Sequence, residues 1–306
     1  MSRAPLDRRA LGRALTELAN ARVAELIRRP GAVDGAANGA TGSGRPARRI
    51  GLTGAPGAGK STLAGHLALH RAANQRIGVL AIDPSSPKSG GAILGDRIRM
   101  DELAGSTELY IRSIGSRSTS DGLSDNLPEM LDLMDAFGFD EVLLETVGVG
   151  QTEYAARVLV DTLVLVVLPE SGDTVQAMKA GIMEMADIFV VNKADLPGAQ
   201  KMATDIQRIA ALARHEPDAW RPPVLLASSS QPGSITGVSE VIDRHQAWLA
   251  RFERRPALLR ERARYRLRRL IERRTAEVVA ALDDEVLEAP VERQLEQVLK
   301  EIGGSG

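Results

Sequence analysis

Lys60 and Ser61 close the run Gly54-Ala55-Pro56-Gly57-Ala58-Gly59-Lys60-Ser61, which sets an ammonium and a hydroxyl behind three glycines. The run follows the apolar segment Arg49-Ile50-Gly51-Leu52-Thr53 and precedes the helix-like Thr62-Leu63-Ala64-Gly65-His66-Leu67-Ala68-Leu69. Between a strand and a helix, G-x4-G-K-S is a phosphate-binding P-loop. The glycines let the backbone curl so that successive N–H groups face a polyphosphate. The helix N-terminus adds partial positive charge, Lys60 reaches the terminal phosphates, and the Ser61 hydroxyl is placed for Mg²⁺. A Gly-rich turn that binds no nucleotide is the plainer alternative.

Asn192-Lys193-Ala194-Asp195 follows the apolar run Ile188-Phe189-Val190-Val191. A carboxylate offers only acceptors, and guanine presents two donors, N1–H and the exocyclic amine, where adenine does not. Asp195 is therefore expected to select guanine, with the Lys193 stem along the base and Asn192 tying this loop to the P-loop. Leu226-Ala227-Ser228-Ser229-Ser230 ends the next strand. G proteins usually place Ser-Ala there, to contact the guanine carbonyl through a backbone N–H. Ser-Ser keeps that donor, and a plain serine-rich loop is the alternative.

Glu145-Thr146-Val147-Gly148-Val149-Gly150-Gln151 closes the strand Val142-Leu143-Leu144. Glu145 is in position to hold Mg²⁺, directly or through water, and the Gly148 amide to sense a γ-phosphate. Gln151 is out of register with the water-positioning glutamine of small GTPases. Asp83 ends another strand and Asp96 opens a helical run. With Glu145 they suit a Mg²⁺ shell made mostly of water with one or two direct ligands. They suit equally a turn before Pro84 and a helix N-cap.

These residues need a scaffold, and the patterning supplies one. Strand-like runs at Ile50–Gly54, Ile77–Asp83, Leu109–Ile114, Glu141–Val147, Thr162–Leu168, Ile188–Asn192 and Val224–Ala227 alternate with helical patterns at Ser124–Phe137, Val175–Ala186 and Gln200–Arg214. That alternation predicts an α/β P-loop NTPase fold, a mostly parallel central sheet flanked by helices. Ligands of such sheets sit at the carboxyl ends of the strands, where the polar motifs fall. Residues 1–48 read as an N-terminal helix over 5–29 and a Gly/Ala-rich linker, residues 49–252 as the nucleotide domain, and residues 253–306 as a helical arm. The arm carries two apolar stripes, Leu259 to Leu282 and Leu287 to Ile302. It either packs back on the domain or projects to make a homodimer, and the second is the expectation.

The 306 residues carry a net charge of −1, which gives no general attraction to nucleic acid or membrane surfaces. Cysteine is absent, so disulfides and thiolate chemistry are excluded. Of the four histidines, His66 and His70 lie one helical turn apart, a spacing read as a solvated helix face rather than a metal site. No apolar run has membrane-spanning length, and the Arg-rich start lacks a signal-peptide core. A soluble cytoplasmic protein is the expectation, an organelle transit peptide the lesser alternative.

Taken together, GAPGAGKST, AIDPSSPKSGGAILGDRIRM, LLETVGVGQTE, LPESGDTVQAMKAGIMEMAD and VVNKAD resemble the MeaB/ArgK/MMAA family of P-loop GTPases. The resemblance is dense from Ile50 to Asp195 and looser in the N-terminal helix and the arm. It implies a dimeric, Mg²⁺-dependent GTPase chaperone of an adenosylcobalamin-dependent acyl-CoA mutase, which meets cobalamin only through that partner. It implies Lys60, Ser61 and Thr62 at phosphates and Mg²⁺, Asp83, Asp96 and Glu145 around the ion, and Asn192, Lys193 and Asp195 at guanine. It also implies a mobile loop at Glu170–Lys179, in which Asp173 and Lys179 become candidates for partner-stimulated hydrolysis. Departing from the family, Ser113-Ile114-Gly115-Ser116-Arg117-Ser118-Thr119-Ser120-Asp121-Gly122 replaces its usual Pro-Ser-Pro turn and GTLGG-like loop. The mutase is thus left open among methylmalonyl-CoA mutase and relatives acting on 2-hydroxyisobutyryl-, isobutyryl- or ethylmalonyl-CoA. Older naming suggests an ATPase or kinase of lysine/arginine/ornithine transport, against which Asp195 argues. The lack of cysteine and of a histidine cluster argues against a nickel-insertion GTPase.

Overall fold

The computed structural model describes residues 5–28, 46–84, 108–116, 123, 126–146, 151–169, 183–212, 218–228 and 231–303. Seven strands form one parallel sheet: β1 (Arg48–Thr53), β2 (Ile77–Pro84), β3 (Leu109–Ser116), β4 (Glu141–Glu145), β5 (Thr162–Val167), β6 (Ile188–Val191) and β7 (Val224–Leu226). Their order is β3-β2-β4-β1-β5-β6-β7, so the strand before the P-loop lies at the centre. Strands β1, β4, β5 and β6 are almost wholly buried, which explains their unbroken apolar runs. The chain leaves β1 toward one edge and later returns to build the other, and the crevice where the order reverses is where such sheets bind ligands.

Helices cover both faces. The first set is α1 (Arg8–Asn20), α2 (Val23–Arg28), α3 (Lys60–Ala72), α4 (Leu127–Ala136) and α5 (Gln151–Leu159). The second is α6 (Ala199–Leu212), α7 (Pro232–Arg251), α8 (Arg255–Ala280) and α9 (Val291–Gly303), with single turns at Met183–Met185 and Asp284–Leu287. Leu11, Leu15 and Leu18 of α1 share a core with Met130, Met134, Leu144 and Leu159, so the N-terminal helix belongs to the main body. Leu63, Leu67 and Ala68 of α3 pack with Ile50, Leu52, Val164 and Ile242 on the other face. The N-terminal stretch read as one helix is two, parted at Ala21, whose backbone is extended. Within 175–186 the described part is the turn at Met183–Met185.

The C-terminal helices pack back on the domain along one face of α8. One face of α8 is anchored by arginines: Arg262 lies 3.0 Å from Asp161, and Arg266 lies 3.0 Å from Glu129 and 2.8 Å from Asp132. Arg273 donates to Asn126, whose amide in turn donates to the carbonyls of Leu18 and Ala21. Asp161 is fully buried and also accepts from the backbone N–H of Arg49 at 2.9 Å. Arg49 then reaches Asp132 and Asp135, each at 2.8 Å. Removing one member of such a network leaves an uncompensated buried charge, which is far more costly than the pair is stabilising. Elsewhere the arm buries Val278 and Val298 but exposes an apolar stripe: Leu267, Ile271, Val291, Leu295 and Leu299 are each more than half exposed.

A second buried cluster lies at the amino ends of β5 and β6. Trp220 donates to the Asp187 carbonyl, and the His245 ring stacks on Trp248. His245 Nδ1 meets the Thr162 hydroxyl at 2.9 Å, and its Nε2 lies 3.4 Å from Asp187 Oδ1. Asp187 also accepts from Arg157 at 2.8 Å and from the backbone N–H of Leu163 at 2.7 Å. Burial pushes the Asp187 carboxyl up to about 6 against the pull of Arg157. Burial, with Arg157 adding to it and Asp161 opposing, pulls His245 down to about 3. The stabilising contribution of Asp187 is present below its unfolded pKa and is lost as pH rises through about 6. That of His245 is present above about 6.5 and erodes as pH falls toward 3. The slopes oppose between pH 4 and 6, so the parent should be nearly flat there. Asp187→Asn leaves the histidine slope alone, and stability should then fall by up to ~1.4 kcal/mol per pH unit below pH 6. Urea unfolding at pH 4, 5 and 6 checks this, and parallel profiles for parent and variant would refute it.

Candidate functional site

The P-loop leaves β1 at Gly54, whose φ is 139°. A Cβ there would stand 2.0 Å from the Val166 carbonyl oxygen, so only glycine lets the loop turn this close to β5. Gly59 caps α3 in the left-handed region, φ 81°, and makes no side-chain cap bond. The first-turn N–H groups of α3 are thereby left to face the loop, the arrangement that receives an anion. The ammonium of Lys60 donates to the carbonyls of Gly54 at 2.8 Å and Ala55 at 3.0 Å, which holds its charge against the loop. Ala58 is fully buried, while Pro56, Gly57 and Thr62 lie open to solvent.

Two motifs far apart in sequence close on this loop. The Ser61 hydroxyl donates to Glu145 Oε1 at 2.6 Å, joining the first turn of α3 to the end of β4. Glu145 is 7% exposed, so its carboxylate looks into the crevice rather than into bulk water. The oxygen-only donor pair fits Mg²⁺, which takes one or two protein oxygens and keeps its other positions for phosphate and water. From the far side, Asn192 donates to the carbonyl of Ala58 at 2.8 Å and more weakly to Gly59. The tie between the two motifs expected from sequence is thus present.

Lys193 sits at φ 53°, a conformation rare for a side chain with a Cβ. This kink sends Asp195 back toward β7. The Ser228 hydroxyl donates to Asp195 at 2.5 Å, and the Ala194 N–H donates to the Ala227 carbonyl at 2.9 Å. The hydroxyl bond holds the Asp195 carboxyl below the usual carboxylate range, so it stays ionised and accepting. Sequence reasoning gave a backbone N–H of the Ser228-Ser229-Ser230 run to guanine, and of these residues Ser228 alone is described. The Ser228 N–H donates to the Ser234 hydroxyl at 3.2 Å, and the Ser228 side chain orients Asp195. Sequence also missed Ser234, in the first turn of α7, which its i,i+6 spacing from Ser228 would not single out.

Asp83 lies by backbone in β2, opposite Gly115 and two residues beyond Ala81, the partner of Glu145. Its strand end therefore shares the crevice. Asp96, Gly148, Asp173, Lys179, Ser229 and Ser230 lie outside the described residues. Among the described residues there is no cluster of three or more His, Asp or Glu suited to a metal, and no helix long and apolar enough to cross a membrane.

A P-loop, an acidic strand end and an Asn-Lys-x-Asp loop at one crevice of a parallel sheet define a P-loop GTPase. Residues 12–284 match the family model described as methylmalonyl Co-A mutase-associated GTPase MeaB, and the chain belongs to that family. A Pyrococcus abyssi protein named as a GTPase is 36% identical over 302 residues, covering 97% of this chain and 88% of its own. The mouse protein named methylmalonic aciduria type A homolog, mitochondrial, is 40% identical over 194 residues. That match covers 61% of this chain and 46% of the mouse protein, so the shared part is about half of the relative. A crystal structure described as LAO/AO transport system kinase superimposes with a TM-score of 0.62 over 98% of this chain and 99% of its own. At 23% identity it shows the fold alone.

The Gly59 geometry makes a sharp test. A Cβ at this position would meet Asn192 Nδ2 at 2.5 Å. Gly59→Ala should destabilise the fold by about 1–3 kcal/mol and weaken GDP binding together, because the left-handed turn is strained and Asn192 is displaced. Denaturant unfolding and equilibrium GDP binding read both effects. An unaltered GDP affinity would show that the loop does not depend on this contact.

Proposed function

We propose that this protein binds GTP with Mg²⁺, hydrolyses it slowly alone, and does so faster on an adenosylcobalamin-dependent acyl-CoA mutase. In that role it gates loading of the mutase's cofactor and protects or reactivates the enzyme. The observation that carries the nucleotide part is the convergence of Lys60, Ser61, Glu145, Asn192 and Asp195 on one crevice. The family description and the mouse relative's name support the partner.

In this reading the α3 N-terminus and Lys60 hold the β- and γ-phosphate oxygens, and the Ala55, Pro56 and Gly57 backbone lines the loop around them. Ser61 and Glu145 would hold Mg²⁺, with Asp83 and Asp96 in its outer environment, and the bound ion would supply charge stabilisation to the phosphates. Water attacks the γ-phosphorus, the bond to the β–γ bridging oxygen breaks, and GDP and inorganic phosphate leave. Gly148 follows the γ-phosphate, Thr62 and Ser228–Ser230 flank the nucleotide, and Asp173 and Lys179 complete the site when the mutase docks. Slow turnover alone is the usual behaviour of a P-loop GTPase whose activating group arrives with a partner.

The exposed stripe on α8 and α9 suits a second copy of the chain, since five large apolar side chains in one arm exceed what a monomer usually leaves bare. GTP turnover should rise at least about tenfold when a cognate acyl-CoA mutase is added, with co-elution of the two proteins. Equal turnover with and without every candidate mutase, and no complex on gel filtration, would sink the chaperone reading while leaving GTP binding intact.

A further inference from the structure

Thr53 and Thr146 have no part in the chemistry so far described, yet each is only 1% exposed and their hydroxyl oxygens lie 3.0 Å apart. Thr53 is the last residue of β1, directly before Gly54. Thr146 directly follows Glu145. Leu52 and Glu145 are partners in the parallel register, and the Thr146 N–H carries the ladder one step further by donating to the Leu52 carbonyl at 3.0 Å. The hydroxyl pair therefore joins the chain where one strand becomes the phosphate loop to the chain where its neighbour releases the acidic residue.

We propose that Thr53 and Thr146 form a positioning clasp that sets Glu145 for its divalent ion. The proposal rests on the Mg²⁺ reading of Ser61 and Glu145 given above. Side chains alternate across a strand, so the clasp holds the backbone from the face opposite the Glu145 carboxylate. On the other flank the Gly54 backbone is pressed against the Val166 carbonyl, so β1 is fixed to both of its neighbours at the point where it ends. Glu145 is then constrained from behind by the clasp and in front by Ser61. Two valines would fill the same space but could not fix the rotation of either side chain through a directed bond. In a buried site a hydroxyl pair is matched in shape by two apolar groups at little loss of stability. Its replacement should act on orientation, as loss of outer contacts does in other metal sites.

The deciding variant is Thr53→Val with Thr146→Val, because a single valine strands one buried hydroxyl. Mg²⁺ is titrated against the full chain loaded with a fluorescent GDP, GDP affinity is measured in EDTA, and the urea midpoint is recorded. The double variant should need about tenfold more Mg²⁺, with GDP affinity in EDTA and urea midpoint as in the parent. Thr146→Ser, which keeps the hydroxyl, should keep the parent's Mg²⁺ requirement. A double variant with the parent's Mg²⁺ midpoint overturns the clasp alone, and so does a Thr146→Ser variant as impaired as the double valine. A parent whose GDP binding ignores Mg²⁺ overturns the metal reading itself, and the clasp falls with it.

Discussion

The side-chain amide of Asn192, bonded to the carbonyls of Ala58 and Gly59, ties the Asn-Lys-x-Asp loop to the P-loop. A nucleotide has a fixed span from base to terminal phosphate, so the two loops must keep a fixed separation if both ends are to be held at once. Loops are the least constrained part of an α/β fold. Here that freedom is reduced by cross-links at the ends of β1, β4, β6 and β7: Asn192 to the P-loop, Ser61 to Glu145, and Ser228 to Asp195. Each joins residues from different βα units. The site is consequently a property of the whole sheet rather than of any one motif.

The opposite end of the sheet is held by charge. Asp161 receives the Arg49 N–H at the start of β1 and the guanidinium of Arg262 on the arm, so the P-loop strand and the C-terminal helix share one buried anion. Burial raises the carboxyls of Glu129 and Asp135, with Arg266 and Arg49 respectively opposing the rise. Such a network contributes little net stability over an apolar core, but it tolerates no partial occupancy. It thereby fixes the angle at which α8 leaves the domain and presents its bare apolar stripe.

The seven strands were readable because a parallel sheet buried on both faces leaves unbroken apolar runs, as in Thr162–Val167. The P-loop and Asn192-Lys193-Ala194-Asp195 were readable because each places charged or amide groups at a strand end at fixed spacing. Ser228's duty toward Asp195 was not, since a serine among three serines carries no spacing signal. The Thr53–Thr146 pair is invisible for a related reason: each residue merely ends an apolar run, and only the register of β1 against β4 sets them side by side. The arm was half readable. Its leucines gave a helical stripe, but the roles of Arg262 and Arg266 were masked by the other arginines of α8, among which Arg260, Arg264 and Arg268 face solvent.

Guanine selection by Asp195 is the central claim, because it separates a GTP-driven device from a general ATPase. Xanthine carries a carbonyl where guanine carries its amine, so an amide at position 195 should exchange one base for the other. Competition binding of GTP, ATP and XTP to the parent and to Asp195→Asn is the direct measurement. The parent should prefer GTP to ATP, and the variant should lose GTP by at least about a hundredfold while gaining XTP. A parent that binds ATP as tightly as GTP, or a variant that keeps its GTP affinity, would contradict the account.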